Sequence, residues 1–157
     1  MFAVSSMTLP LKKVALKHPG HSLKTADPKK WHYSKHFDPE KVEAAHQSLV
    51  DHLRSTGVQI FWIDADDEGN ADAVFTYDAS LMTPEGAILM SPGKELRKGE
   101  QELHRSFYNA YRIPILGEIS GNGKSEAGDT LWLDDQTLLI GRGFRTNAEG
   151  ANQIKSI

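Results

Sequence analysis

Apolar runs broken by polar turns recur in the second half of the chain. Leu81-Met82 and Ala87 to Met90 flank Thr83-Pro84-Glu85-Gly86, and Thr130 to Leu133 and Thr137 to Ile140 flank Asp134-Asp135-Gln136. Strand-forming residues on either side of turn formers predict two β-hairpins. The first is followed by the breaker Ser91-Pro92-Gly93, then Arg97-Lys98-Gly99-Glu100 and a helix; the second by Gly141-Arg142-Gly143, Arg145 and a helix. Strand, turn, strand, Gly-containing breaker, Arg, helix is therefore one supersecondary unit used at least twice, with Leu81 and Ile88 corresponding to Leu131 and Leu138.

Helical periodicity appears elsewhere. Asp38-Pro39-Glu40 is a helix start, with Asp38 as N-cap and Pro39 first in the helix. Val42, Ala45, Leu49 and Leu53 then share one face, while Lys41, Glu43, Gln47 and Arg54 face solvent. Gly57 ends that helix, and Val58 to Ile63 reads as a buried strand. Val14 to Leu16 begins an earlier strand, and His18 to His36, with Pro19, Gly20 and Pro28, reads as a long irregular connection of the kind that forms lids. A second helix spans Glu100 to Tyr111, with Leu103, Phe107 and Ala110 or Tyr111 inward, and Pro114 opens a strand leading to Ile119. Thr146 or Asn147 caps a closing helix containing Glu149 and Ile154. The class is mixed α/β.

A carboxylate opens each copy of the repeated unit. Asp78 ends the apolar run Ala73-Val74-Phe75-Thr76-Tyr77, and Glu126 and Asp129 precede the later hairpin. If the copies are related by rotation about a common axis, their equivalent ends bring acids and arginines to one centre. Arg145 lies just outside a helix N-terminus, where the partial positive charge disfavours a cation unless both share an anion. The expected ligand carries charges of both signs.

Phe75-Thr76-Tyr77-Asp78, Arg97-Lys98-Gly99-Glu100, Glu126-Ala127-Gly128-Asp129 and the run Gly143 to Gly150 resemble the motifs of the guanidino-group-modifying enzymes. The resemblance is closest to dimethylarginine dimethylaminohydrolases, with arginine deiminases and amidinotransferases more distant. It implies the pentein fold, a propeller of five ββαβ units around a central site, of which this chain would supply the N-terminal part. It also implies that Asp78 and Glu126 hold a substrate guanidinium, that Arg97 and Arg145 hold its α-carboxylate, and that Asp72 contacts substrate. Asp129 and Gly128 would support them, Asp129 with loop capping as its plainer role. The chemistry agrees, since a planar guanidinium presents parallel N–H donors that paired carboxylates accept. Lys98 competes with Arg97 for its assignment by one position. Tyr77 departs from the pattern, standing where the dimethylarginine hydrolases commonly have an acid.

Composition narrows the rest. With 157 residues, 39% hydrophobic and 25% charged, the chain reads as one domain, here a single incomplete domain over residues 1–157. A net charge of −3 and a pI of 6.1 give no basic face for nucleic acid. No apolar run is long enough for a membrane span, and Pro10 with Lys12-Lys13 interrupts any export signal, so a cytoplasmic location is the default. His32 and His36 have helical metal-ligand spacing without the glutamate of a zinc motif, and the acidic Asp64 to Gly69 lacks the calcium-loop pattern. Gly123-Lys124-Ser125 imitates the end of a phosphate-binding loop, but a strand follows where a helix must. No cofactor or metal is expected.

The largest departure from the family is chemical. Its reaction needs a Cys thiolate to attack the guanidinium carbon and a His to move protons, whereas this sequence has no cysteine and none of its seven histidines matches the family motif. Ser120 and Ser125 are poor substitutes, with no base beside them. Two readings follow. In the first the chain is the N-terminal part of a hydrolase that releases citrulline from arginine or a methylarginine, inactive until a complementing C-terminal half supplies the thiolate; an amidinotransferase is a lesser variant. In the second it is a non-catalytic arginine- or guanidine-binding protein. Open strand edges predict self-association in either case.

Overall fold

The computed structural model describes residues 3–4, 6–67 and 69–157. Met1, Phe2, Ser5 and Glu68 lie outside the described residues, and with them parts of the N-terminal stretch and the acidic turn. The chain divides into two compact units, Pro10–Thr76 and Tyr77–Ile157, the second including Met1–Leu9.

In the first unit β1 (Lys13–Leu16) runs parallel to β2 (Gln59–Trp62), pairing Val14 with Ile60 and Leu16 with Trp62. Parallel strands need a long crossover. It contains the single-turn helices α1 (His21–Lys24) and α2 (Pro28–Trp31), inside the stretch expected to be irregular, and then α3 (Pro39–Ser55). Asp38 caps α3 as expected, Oδ1 accepting from the N–H groups of Glu40 at 3.2 Å and Lys41 at 3.3 Å.

The packed face of α3 differs from the sequence expectation. Val42, His46, Val50 and Leu53 turn inward, whereas Ala45 and Leu49 are exposed. The aromatic residues account for this. Trp62 stacks on His18 with ring centroids 3.8 Å apart, and His46 lies 5.9 Å from the same indole, so an imidazole occupies a place that a count of aliphatic residues assigns to its neighbours. Lys17 is buried and donates to the carbonyls of Ile63 and Ala65, which anchors the segment after β2. The acidic turn is tied to the crossover, Asp67 accepting from Ser22 Oγ at 2.5 Å. Ala71–Val74 forms a 3₁₀ turn, so the apolar run ahead of Asp78 is not a strand.

In the second unit β3 (Ser80–Met82) and β4 (Ala87–Leu89) form the first predicted hairpin, with Leu81 opposite Ile88. The helix α4 (Glu100–Ala110) carries the chain back to β5 (Ile115–Glu118), which pairs with β4 in parallel. The second hairpin is β6 (Thr130–Trp132) and β7 (Leu138–Ile140), followed by α5 (Ala148–Ser156). Leu131 faces Leu139 rather than Leu138. The connection over 133–137 is one residue longer than that over 83–86, and one residue is enough to shift a strand partner.

Leu81, Ile88, Met90, Ile119, Ala127 and Ile154 form one buried cluster, with Leu138 and Ile140 packed against it. Residues from both hairpins and α5 thus share a core. From α4, Leu103 and Phe107 are buried as expected, but His104 and Tyr108 accompany them in place of Ala110 or Tyr111. Ser80 makes this burial tolerable: its Oγ lies 2.8 Å from His104 Nδ1 and 2.5 Å from Tyr108 Oη. The architecture is mixed α/β, with sheets of two, three and two strands that close into neither barrel nor propeller among the described residues. No helix among them is long and apolar enough to cross a membrane.

Candidate functional site

The two hairpins begin at carboxylates, and backbone bonds bring those beginnings together. Asp78 precedes β3, and its carbonyl accepts from Ala127 N at 3.0 Å, next to Glu126. Ser125 N donates to Ser91 O at 2.8 Å, so the breaker after β4 lies along the segment leading to β6. Gly93 N then donates to Glu126 Oε1 at 3.1 Å. Arg97 closes the 3₁₀ turn Glu95–Arg97, and Arg145 stands two residues before the N-cap Asn147. Asp78, Arg97, Glu126 and Arg145 therefore meet through equivalent positions of the repeated unit, as the sequence pattern requires.

The side chains converge on the two guanidiniums. Arg97 Nη1 donates to Asp78 Oδ2 at 2.8 Å and lies 3.6 Å from Glu126 Oε2. Arg145 Nη1 donates to the same Glu126 oxygen at 3.1 Å and is 3.7 Å from Asp78 Oδ1. Arg145 Nη2 donates to Asp129 Oδ1 at 3.1 Å, and Thr146 Oγ1 donates to Asp129 Oδ2 at 2.7 Å. Asp129 is thus both a partner of Arg145 and a support for the loop before α5. Gly128 leaves room for the assembly, since a Cβ there would overlap Asp78 Oδ1.

Two members were not assigned from sequence. Glu100 is fully buried at the first position of α4 and accepts from Arg97 Nε at 3.0 Å and Nη2 at 2.7 Å. Its signal was present as a Glu three residues after Arg97 at a helix start, yet nothing in periodicity marks a first-turn carboxylate as buried. Thr146 also bridges, its hydroxyl accepting from Glu126 N at 3.3 Å. Asp72 belongs to the first unit, where it is buried and accepts from the Tyr33 hydroxyl. Lys98 is exposed on Glu95, so Arg97 rather than Lys98 joins this cluster.

Electrostatics separate the two arginines. Burial alone would lower the Arg97 pKa, but its hydrogen bonds to Glu100 and Asp78 outweigh that and raise it above the ordinary value. Burial opposes the charge of Arg145 as well and is overcome by Asp129, Glu126 and Asp78. Arg97 is enclosed, its side chain 7% exposed, whereas that of Arg145 is 48% exposed. Four carboxylates, Asp78, Glu100, Glu126 and Asp129, surround these two cations, leaving a formal charge of −2 for a further cation to offset.

A surface hollow of about 460 Å³ opens on Arg145 and Asp129 and is completed by Gly141, Arg142 and Gly143. A larger one, about 640 Å³, runs along α5 beside Glu118 and Glu149, with no basic side chain in its lining. Of the two, only the smaller has side chains of both charge signs in its lining. Neither serine suits attack on a substrate: Ser125 is buried and donates to Met90 Sδ at 3.1 Å, and the Ser120 backbone is held by Gln153. After Gly123-Lys124-Ser125 the chain enters a short turn and β6, so the loop does not run on into a helix as a phosphate-binding loop must; the helix N-terminus packed on it is that of α5, whose Asn147 N donates to Lys124 O at 3.0 Å. No group of three or more metal-ligating side chains is present among the described residues.

The family model described as N,N dimethylarginine dimethylhydrolase, eukaryotic, matches residues 23–156. The N(G),N(G)-dimethylarginine dimethylaminohydrolase of Pseudomonas aeruginosa is 34% identical over 120 residues, which is 76% of this chain and 46% of that protein. A crystal structure of the Pseudomonas aeruginosa enzyme, a cysteine-to-serine mutant complexed with citrulline, superposes with a TM-score of 0.79 at 30% identity, covering 94% of this chain and 56% of that one. The apo structure of ArgZ, an arginine dihydrolase from cyanobacteria, gives a TM-score of 0.71 over 92% of this chain and 22% of that one; at 21% identity it speaks to the fold alone. The chain spans about half the length of the curated relatives it matches.

Proposed function

The chain belongs to the N,N dimethylarginine dimethylhydrolase family, within the guanidino-modifying pentein superfamily, and from that membership we propose that it forms the guanidine-holding part of a hydrolase acting on arginine or a methylarginine. One observation carries the reading: Asp78 and Glu126 together approach a guanidinium nitrogen, Nη1, of both Arg97 and Arg145. The chain's own arginines stand against the pair, which supports this reading.

Arg145 fills the seat that the ligand would take. An incoming guanidinium displaces its Nη1 from Glu126 and Asp78, and the freed cation then pairs with the α-carboxylate of the same ligand. The exchange conserves charge-assisted bonds on both sides. Arg97, enclosed and anchored, stays in place and presents Nη1 to the site. Bound this way, the planar guanidinium carbon is held for attack by a nucleophile that these 157 residues do not contain, since none is a cysteine. A thiolate from chain outside these residues supplies it: its attack forms a C–S bond and expels ammonia or the methylated amine, and water then hydrolyses the S-linked amidine, releasing citrulline and the thiol.

Calorimetric titration with L-arginine and N-methyl-L-arginine tests the binding, and addition of the Cys-bearing segment of a family member tests turnover. Binding by the unaltered chain, lost in Asp78→Asn and Glu126→Gln, supports the proposal. Undiminished affinity in both variants sinks it. Binding without citrulline release after a soluble complex has formed favours the second reading, a non-catalytic guanidine-binding protein, to which the lack of any base beside Ser120 or Ser125 also points.

A further inference from the structure

We infer that β7 is a docking edge for a second copy of this chain, the two β7 strands pairing antiparallel about a two-fold axis at Leu139. The inference is independent of the proposed function.

The repeated unit shows what β7 lacks. In an antiparallel pair alternate residues turn their backbone groups toward the neighbouring strand, and the others turn theirs away. In β4 the residues that turn away from β3 are Ala87 and Leu89, and the β5 segment takes both: Ala87 N donates to Pro114 O and Leu89 O accepts from Ile119 N, each at 2.9 Å. In the second hairpin Leu133 N donates to Thr137 O and Gly141 N to Asp129 O. That alternation bonds Leu139 to β6 and turns Leu138 and Ile140 outward. Among the described residues β7 pairs with β6 alone, so the N–H and C=O groups of Leu138 and Ile140 stand open as a template for another strand.

The faces differ in the same way. Leu81 and Ile88, the middle pair of the first hairpin, are each 4% exposed, whereas Leu131 and Leu139, the middle pair of the second, are 42% and 47% exposed. Leu133 shares their face, two residues on from Leu131, and is 59% exposed. Three neighbouring leucines in solvent mark a surface of association.

Complementarity selects a second copy as the occupant. With Leu139 on the axis, Leu138 of each copy stands opposite Ile140 of the other, and each such pair exchanges both of its N–H to C=O bonds. The open groups of both edges are thereby satisfied, and Leu139 meets its own counterpart on the leucine face. The ends of the strand carry opposite charges. Asp134 and Asp135 lie in the turn before β7 and Arg142 lies just beyond it, all three exposed. Antiparallel order sets Arg142 of each copy opposite Gln136 of the other, one residue from Asp135. Parallel order would set arginine beside arginine and acid beside acid.

Sedimentation equilibrium at increasing concentration tests the contact. The unaltered chain is expected to pass from monomer to dimer. Leu139→Lys, which brings two like charges together at the axis, should raise the dissociation constant at least about tenfold. Leu116→Lys, on the exposed leucine of β5, should leave it within about twofold. Arg142→Asp should weaken the dimer, and Asp135→Arg added to it should restore the affinity. A monomer at every concentration, or a dimer indifferent to Leu139→Lys, overturns the inference. So does a dimer that Leu116→Lys disrupts as strongly, since the contact then lies on β5.

Amide hydrogen exchange locates the pairing. On dilution, the Leu138 and Ile140 N–H groups should lose protection together while Leu139 N–H, held by β6, keeps it. A chain that stays monomeric, with those two amides protected only after the Cys-bearing segment of a family member is added, gives the edge to that segment and overturns the second copy as its occupant.

Discussion

Gly128 and Asp78 are packed so closely that a side chain at position 128 would overlap the Asp78 carboxylate and come within 3.4 Å of both terminal nitrogens of Arg145. Gly128 is not among the residues of positive φ, so the requirement is for room rather than for an unusual backbone. Gly128→Ala is expected to cost about 1–3 kcal/mol, as overpacking typically does. It should also weaken L-arginine binding by moving Asp78. Denaturant unfolding and calorimetry on the same sample separate the two effects.

Glu126 and Glu95 are both ion-paired glutamates, but only one is buried. Glu126 receives Arg145 and Gly93 N and faces Arg97 from a fully enclosed position. Neutralising one partner of a buried pair costs about 3–5 kcal/mol, and the lower end applies to Glu126→Gln because Arg97 retains Glu100 and Asp78. Glu95 pairs with Lys98 and Lys124 in solvent, so Glu95→Gln should leave the unfolding midpoint close to that of the unaltered chain. Comparable unfolding midpoints for the two variants would contradict this ordering.

Asn147 ties α5 to the loop before β6. Its Oδ1 accepts from Gly150 N at 2.8 Å and Lys124 N at 3.1 Å, and its Nδ2 donates to Asn122 O at 2.9 Å. Asn147→Ala removes a helix cap and two loop bonds together. A stability loss of about 1–2 kcal/mol is expected, with Asn147→Asp recovering the part owed to the cap. Thermal melts of the three proteins give the comparison.

His46 makes the first unit sensitive to acid. Burial, and then the neighbouring His18, hold its pKa below the ordinary histidine value of 6.5. The unfolded chain therefore binds a proton more readily than the folded one between the depressed value and 6.5, so stability falls as pH drops through that window and the loss levels off below it. Stability measured by urea titration between pH 7.5 and pH 4.5, a span chosen about the ordinary histidine range, should show this slope in the unaltered chain. In His46→Gln the slope should flatten.

What the sequence disclosed and what it withheld follow from how each residue is marked. Asp78, Glu126, Arg97 and Arg145 stand at matching places in a repeated pattern, so their convergence is legible in the sequence, whereas Thr146 and Asn147 are both cap candidates there and the structure uses Asn147. Glu100 lies within a motif to which the sequence pattern gives no role. A glutamate in a helix's first turn usually serves the dipole from the surface, and only tertiary burial reveals its grip on Arg97. Aliphatic periodicity misplaces the inward face of α3 because His46 packs as a ring on the Trp62 side while Leu49 stays out. Strand partners Leu131 and Leu139 were displaced by one place because turn length, not hydrophobicity, decides that detail.

The unequal shelter of the two arginines divides them chemically. A dicarbonyl reagent that condenses with guanidino groups must reach both terminal nitrogens, which Arg145 offers and Arg97, wrapped by Glu100 and Asp78, does not. Derivatisation at Arg145 alone would then leave a bulky neutral ring where a cation had been, plugging the seat between Asp78 and Glu126 while the anchored guanidinium beneath it stays unmarked.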